Sequence, residues 1–126
     1  MDPQRSRPIL LIEDDAEIRE ALIEVLGQLG HQTVGAGNGV EALSYLHANP
    51  APCLILLDLM MPVMSGVEFR TRQLAEQALG SIPVVLLSAQ TGLEQSATAM
   101  HVAGHLTKPI DLDQLVAAIE THGSRC

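Results

Sequence analysis

Aromatic residues are almost missing from this chain: Tyr45 and Phe69 are the only two among 126 residues, and there is no tryptophan. Lysine is scarcer still. Lys108 stands alone, the other six basic residues are arginines, and 15 carboxylates bring the net charge to −8. With neither a basic stripe nor a stacking platform, the chain is not built to hold nucleic acid directly. No apolar run approaches the ~18 residues of a bilayer span, so no membrane partner is expected. The head, Met1 to Pro8, carries two arginines, but only four apolar residues follow before Glu13, too few for the core of a secretion signal. Cysteine occurs twice, at Cys53 inside an apolar run and at Cys126, the last position. That placement reads as a buried thiol and a loose tail, not a bridge, and fits a reducing compartment. The expectation is a soluble cytoplasmic protein.

What is present is a set of short apolar runs, each stopping at a polar residue. Cys53-Leu-Ile-Leu-Leu57 stops at Asp58, Ile9-Leu-Leu-Ile12 at Glu13-Asp14-Asp15, and Val84-Val-Leu-Leu87 at Ser88. Runs of this length bounded by turn signals read as strands buried on both faces. Two weaker strands are expected, His31 to Ala36 and Gly104 to Thr107, the second ending at Lys108-Pro109. Helical patterns lie between them. Ile18, Ala21, Leu22, Val25, Leu26 and Leu29 share one face after Asp15, and Gly30 closes that helix. Asn38-x-x-Glu41, Ser65-x-x-Glu68 and Thr91-x-x-Glu94 have capping-box form and open three more helices, the first running to about His47 and the second to about Ala78. Asp111 caps the last, with Leu112, Leu115, Val116 and Ile119 on one face. Five strands alternating with five helices make an α/β fold, a doubly wound parallel sheet of flavodoxin-like order 2-1-3-4-5. The domain is expected over residues 8–122, with tails at 1–7 and 123–126.

In such a sheet ligands sit beyond the carboxyl ends of the strands, where the strand order reverses. Glu13, Asp14 and Asp58 end the two strands at that point, with Ser88 and Lys108 on the strands beyond. Two carboxylates ~4 Å apart repel by on the order of 4 kcal/mol at an effective dielectric near 20. A hard divalent cation removes that repulsion, and a small set of oxygen ligands suits Mg²⁺ better than zinc or calcium. A lone ammonium before a proline suits a phosphoryl oxygen as a compact point charge.

These residues resemble the receiver domain of two-component response regulators over about Pro8 to His122. The motifs are Ile12-Glu-Asp-Asp-Ala-Glu-Ile-Arg19, Leu57-Asp-Leu-Met-Met-Pro-Val-Met-Ser-Gly66, Leu87-Ser-Ala89 and Gly104-His-Leu-Thr-Lys-Pro109. The resemblance implies that Asp58 accepts a phosphoryl group from a phosphohistidine on a histidine kinase or histidine phosphotransfer protein. It implies Mg²⁺ held by Asp14, Asp58, the backbone carbonyl of Met60 and, mainly through water, Glu13. Lys108 and Ser88 would hold phosphoryl oxygens, Ser88 and His105 would form the switch, and Pro109 would follow a cis peptide bond. The chain would catalyse only its own phosphorylation and dephosphorylation. The face of the fourth helix, last strand and last helix would then control an unidentified output protein, from a monomer or a weak phosphorylation-dependent dimer. Two departures stand out. Ser65 occupies a position often held by Asp, which alters only a helix cap. Met60 and Gln90 fall at the positions that tune dephosphorylation, and an apolar Met60 offers nothing to orient an attacking water, so slow autodephosphorylation is expected.

Other chemistries fit less well. A phosphohydrolase of the haloacid dehalogenase type needs a second carboxylate two residues past Asp58, where Met60 stands. A nucleotide binder on this fold needs a Ser/Thr/Gly phosphate loop after the first strand, where three carboxylates stand instead. A phosphorylation-silent interaction module would not need the acceptor, metal and lysine positions all filled.

Overall fold

A computed structural model describes residues 7–89, 93–123 and 126. Five strands, β1 (Ile9–Ile12), β2 (Thr33–Ala36), β3 (Leu54–Asp58), β4 (Val84–Ser88) and β5 (Gly104–Thr107), form one parallel sheet in the order β2-β1-β3-β4-β5. The helices are α1 (Ala16–Gln28), α2 (Gly39–Ala48), α3 (Gly66–Leu74), the single-turn α4 (Gln77–Gly80), α5 (Leu93–Met100) and α6 (Leu112–His122). The doubly wound order is therefore the expected one. The third helix, expected to reach about Ala78, is instead broken into α3 and α4, so the helix expected fourth is α5. The second strand begins at Thr33, two residues later than the pattern predicts.

The local signals explain most boundaries. The side chains of Asp15, Asn38, Ser65 and Asp111 each accept from backbone N–H groups of the first turn of α1, α2, α3 and α6, satisfying donors the helix itself leaves open. Gly30 follows α1 with φ 91°, a left-handed conformation that glycine adopts without strain. The Thr91–Glu94 cap falls on residues outside the described set, as does Gln90.

β1, β3 and β4 are buried along their whole length, and alternate residues feed two cores. Leu10, Ile12, Ile55, Leu57, Val84 and Leu86 face Ala42, Leu46, Phe69, Ala97 and Met100 of α2, α3 and α5. Ile9, Leu11, Leu54, Leu56, Val85 and Leu87 face Leu26 of α1 and Leu115 and Ile119 of α6. The stripe of α1 is narrower than its periodicity predicts. Ile18, Ala21 and Leu29 are exposed, because only the middle of the helix lies over the sheet.

Two features run against the simple pattern. Arg70 and Gln73 of α3 are buried. Arg70 donates through Nε to the Met100 carbonyl at 3.0 Å, through Nη2 to the His101 carbonyl at 2.7 Å and through Nη1 to Gln73 Oε1 at 2.8 Å. Gln73 passes the link on to the carbonyls of Leu79 and Ile82. Burial pulls the Arg70 guanidinium below its usual pKa, and carbonyl dipoles at the C-terminal end of α5 supply its compensation.

The second feature corrects the cysteine reading. Cys53 and Cys126 form a disulfide with a Cα–Cα distance of 5.3 Å. Cys126 is thus tied to the sheet and Cys53 is not a free thiol. The pairing arises because α6 runs back along the sheet and Gly123 ends it beside Leu54, at the foot of β3. The inference of a reducing compartment from unpaired cysteines loses its basis. Among the described residues no helix is long and apolar enough to cross a membrane.

Candidate functional site

Register brings the expected residues to one level. Ile12 lies opposite Leu57, so Glu13 and Asp58 leave the sheet together, while Asp58 pairs with Leu87 and Ser88 with Thr107. The next residue on each strand enters the loops above the sheet. Glu13, Asp14, Asp15, Asp58, Met60, Ser88, Ala89 and Lys108, with Ile18, line a cavity of about 290 Å³ there. Glu13, Asp14 and Asp58 each offer a carboxylate oxygen, and these oxygens lie within 4.8 Å of one another. Glu13 and Asp58 are buried whereas Asp14 is exposed.

Lys108 crosses the site from β5. Its Nζ donates to Glu13 Oε1 at 2.6 Å and lies 3.6 Å from Asp58 Oδ2. The short contact is a charge-assisted hydrogen bond. The Met60 backbone N–H donates to Asp58 Oδ1 at 3.3 Å, while the Met60 side chain projects into solvent at the rim. The loop that carries it closes tightly. The Gly66 N–H donates to the Leu59 carbonyl at 3.0 Å, and a Cβ at position 66 would sit 2.7 Å from the Asp58 carbonyl oxygen. Only glycine lets α3 start so close to the strand end. Val63 in the same loop has φ 70°, a left-handed conformation that strains a β-branched residue.

Burial pushes the Asp58 carboxyl up, and the hydrogen-bonding partner and charge of Glu13 add to it; Lys108 pulls the other way without cancelling them, and Asp14 raises it further. The result is a pKa of about 7 instead of 3.8. For Lys108, burial works to lower the ammonium pKa, but the hydrogen bond to Glu13 and the negative charge of Asp58 and Glu13 outweigh it and leave it raised. Three acids facing one ammonium leave surplus negative charge in a confined space. All the donor atoms are hard oxygens, and among the described residues no cysteine or histidine joins the cluster. That set suits Mg²⁺.

The chain matches the response regulator receiver domain over residues 9–120, most of its length. It belongs to that family. Receiver domains serve two-component signalling, and Glu13, Asp14 and Asp58 form the acidic pocket of this one. The chain is 38% identical over 117 residues to the phosphate regulon transcriptional regulatory protein PhoB of Escherichia coli, a match covering 91% of this chain and 51% of PhoB. It therefore spans about half the length of the PhoB relatives it matches. Sporulation initiation phosphotransferase F of Bacillus subtilis is 32% identical over 116 residues, 90% of this chain and 91% of that protein. The structure of the response regulator TrrA of Thermotoga maritima, in complex with Mg(2+)-BeF, aligns with a TM-score of 0.81 at 26% identity, covering 91% of this chain and 97% of that one.

The remaining candidates of the receiver domain fall around this pocket at different distances. Ser88 is buried at the end of β4, and Ala89 follows it to the surface of the cavity. His105 is half-buried in β5 opposite Leu86, two pairs below the strand end, and is not among the residues lining the cavity. The Lys108–Pro109 peptide is cis. One residue at the site was not singled out from the sequence: Arg19 of α1, whose Nη1 donates to the Glu13 carbonyl at 2.7 Å. The available signal was its place one helical turn past the Asp15 cap, which points it back at the strand end.

Proposed function

We propose that this receiver domain, spanning about residues 8–122, takes a phosphoryl group from a phosphohistidine on a histidine kinase or histidine phosphotransfer protein. What carries the reading is one juxtaposition: a buried Asp58 with Lys108 Nζ 3.6 Å from its Oδ2 and two further carboxylates within 4.8 Å. In the transfer an Asp58 oxygen attacks phosphorus, the P–N bond to the histidine breaks, and the imidazole nitrogen keeps the electron pair. An acyl phosphate forms on Asp58. The protein's share of such a step is alignment and charge neutralisation.

Each residue has a part in that share. Asp58 must be ionised to attack, and the ammonium of Lys108 favours that form. After transfer Lys108 holds one phosphoryl oxygen and the Ser88 hydroxyl donates to another. Asp14, Asp58 and the Met60 carbonyl would hold Mg²⁺, with Glu13 acting mainly through water. The ion when bound offsets negative charge on the carboxylates and the phosphoryl oxygens. Met60 presents no polar side chain to orient water, so the acyl phosphate decays slowly. The Ser88 contact exists only in the phosphorylated form, and it draws the loop after β4 inward. His105 turns into the space left, and the face of α5, β5 and α6 changes for an output protein.

The test is direct. Incubating the protein with a small phosphodonor and reading intact mass should show one added phosphoryl group with Mg²⁺ and none in chelator, and Asp58→Asn should stay unmodified. Absence of the adduct under all conditions, or its survival in Asp58→Asn, would overturn the reading. Ser88→Ala should accept the phosphoryl group yet lose phosphorylation-dependent partner binding. Phosphorylated Ser88→Ala binding as wild type does would break the proposed coupling.

A further inference from the structure

Asp14 has to face Asp58 for the acidic cluster to exist, yet it is exposed and lies in a short link between β1 and α1. Something must orient that link. On one side the Glu13 N–H donates to the Ala36 carbonyl at 3.0 Å, fixing the link to the end of β2. At α1, the Asp15 side chain caps the helix by accepting from the N–H groups of Glu17 and Ile18. Between these anchors lies the Glu13–Asp14 peptide, and its carbonyl accepts from Arg19 Nη1 at 2.7 Å.

The route by which Arg19 reaches that carbonyl is built into β2. Its stem lies across Gly35, where a Cβ would sit 3.0 Å from Arg19 Cδ and 3.3 Å from Cγ. Beyond the strand end, a Cβ at Gly37 would sit 3.5 Å from Arg19 Nη1. A side chain at position 35 would push the arginine off its path. Arg19 is half-buried and its bond to the carbonyl is partly shielded from water, and bonds from a charged donor are the stronger kind.

We infer that Arg19 is a positioning residue for the acidic cluster: by holding the Glu13 carbonyl it sets the plane of the Glu13–Asp14 peptide and so the direction in which the Asp14 carboxylate points. It touches neither the phosphoryl group nor the cation. The inference rests on the proposed Mg²⁺-dependent reading, and it acts through the backbone as outer-shell partners of a metal site act through their ligands.

The test uses the whole chain and three proteins: wild type, Arg19→Met, which keeps the stem over Gly35 but has no donor, and Arg19→Lys, which restores a charged donor. Mg²⁺ binding is measured by calorimetry, phosphorylation by a small phosphodonor as a function of Mg²⁺, and amide hydrogen exchange at Asp14 and Asp15 in chelator. Arg19→Met should weaken Mg²⁺ binding by about tenfold or more, with Arg19→Lys between it and wild type. The phosphorylation rate of Arg19→Met should return to within about twofold of wild type at saturating Mg²⁺, since an orienting defect is made good by mass action. Its Asp14 and Asp15 amides should exchange faster in chelator while those of β3 do not. Equal Mg²⁺ affinity in wild type and Arg19→Met, or unchanged exchange at the two amides, would overturn the positioning role. Should wild type itself bind no Mg²⁺, the proposed function fails, and the exchange measurement still decides whether Arg19 holds the link. Should Arg19→Met not fold, the comparison of Arg19→Lys with wild type carries the same two readouts.

Discussion

Replacing Asp58 with asparagine is expected to make the cation-free protein more stable, although it removes the proposed phosphoacceptor. Asp58 has a pKa of about 7 in the folded chain and 3.8 as its ordinary value. The folded state therefore holds the proton more tightly than the unfolded state does. Stability linked to this group is complete below pH 3.8 and is lost as pH rises through about 7. At about 1.36 kcal/mol per pKa unit, the ionised carboxylate is worth on the order of 4 kcal/mol of destabilisation above neutrality, and relaxation of the site trims this toward 2. The asparagine side chain is nearly the same size and carries no charge, while Lys108 keeps its bond to Glu13. For a domain of this size, roughly 2–4 kcal/mol is a rise of about 8–15 °C in melting temperature. The assay is thermal and urea unfolding of wild type and Asp58→Asn in chelator at about pH 5 and pH 8. The gain should be large at the higher pH and shrink at the lower, where the wild-type carboxyl is protonated. Adding Mg²⁺ at the higher pH should raise wild type and barely move the variant. A gain of equal size at both pH values, or none at pH 8, would refute the account of an Asp58 carboxyl held protonated by burial and by its neighbours Glu13 and Asp14.

Three other outcomes follow from the geometry. Gly66→Ala should lower the stability by about 1–3 kcal/mol and slow phosphorylation, because the new Cβ meets the Asp58 carbonyl oxygen and Leu59 Cα; an unchanged urea midpoint would contradict it. Reduction, or Cys126→Ser, should cost about 4 kcal/mol, the chain-entropy value for a loop closed across 73 residues. Wild type unfolding at the same denaturant concentration with and without reductant would speak against the bridge. Val63→Gly should raise stability by about 0.5–1 kcal/mol, since the site is exposed and left-handed; a drop in midpoint would show that the strain argument misjudged this loop.

The sheet order and the site were legible because they rest on the same signal. Ile9–Ile12, Leu54–Leu57 and Val84–Leu87 are apolar on both faces and stop at charged or hydroxyl residues, so parallel burial and strand-end chemistry come out together. Caps at Asp15, Asn38, Ser65 and Asp111 were legible because the bonding is local. What escaped depends on distance or on context. Cys126 meets Cys53 only after the whole sheet has folded α6 back to the foot of β3. Arg70 and Gln73 look like a solvated helix face, since polar side chains usually are; here carbonyls from α4, α5 and the turn before β4 reach them, and they are buried. Ile18 and Ala21 share the period of a core stripe, but period alone does not say where the sheet beneath a helix ends.

Glu13 and Lys108 lie 95 positions apart, directly after β1 and β5, with β3 and β4 between those strands in the sheet. No fragment shorter than the span from Glu13 to Lys108 contains the pocket's whole lining. On the proposed function, readiness to be phosphorylated would thereby be a certificate of completed assembly: a nascent or half-melted molecule would offer a phosphodonor nowhere to deliver its cargo, and would stay silent until its last strand had docked.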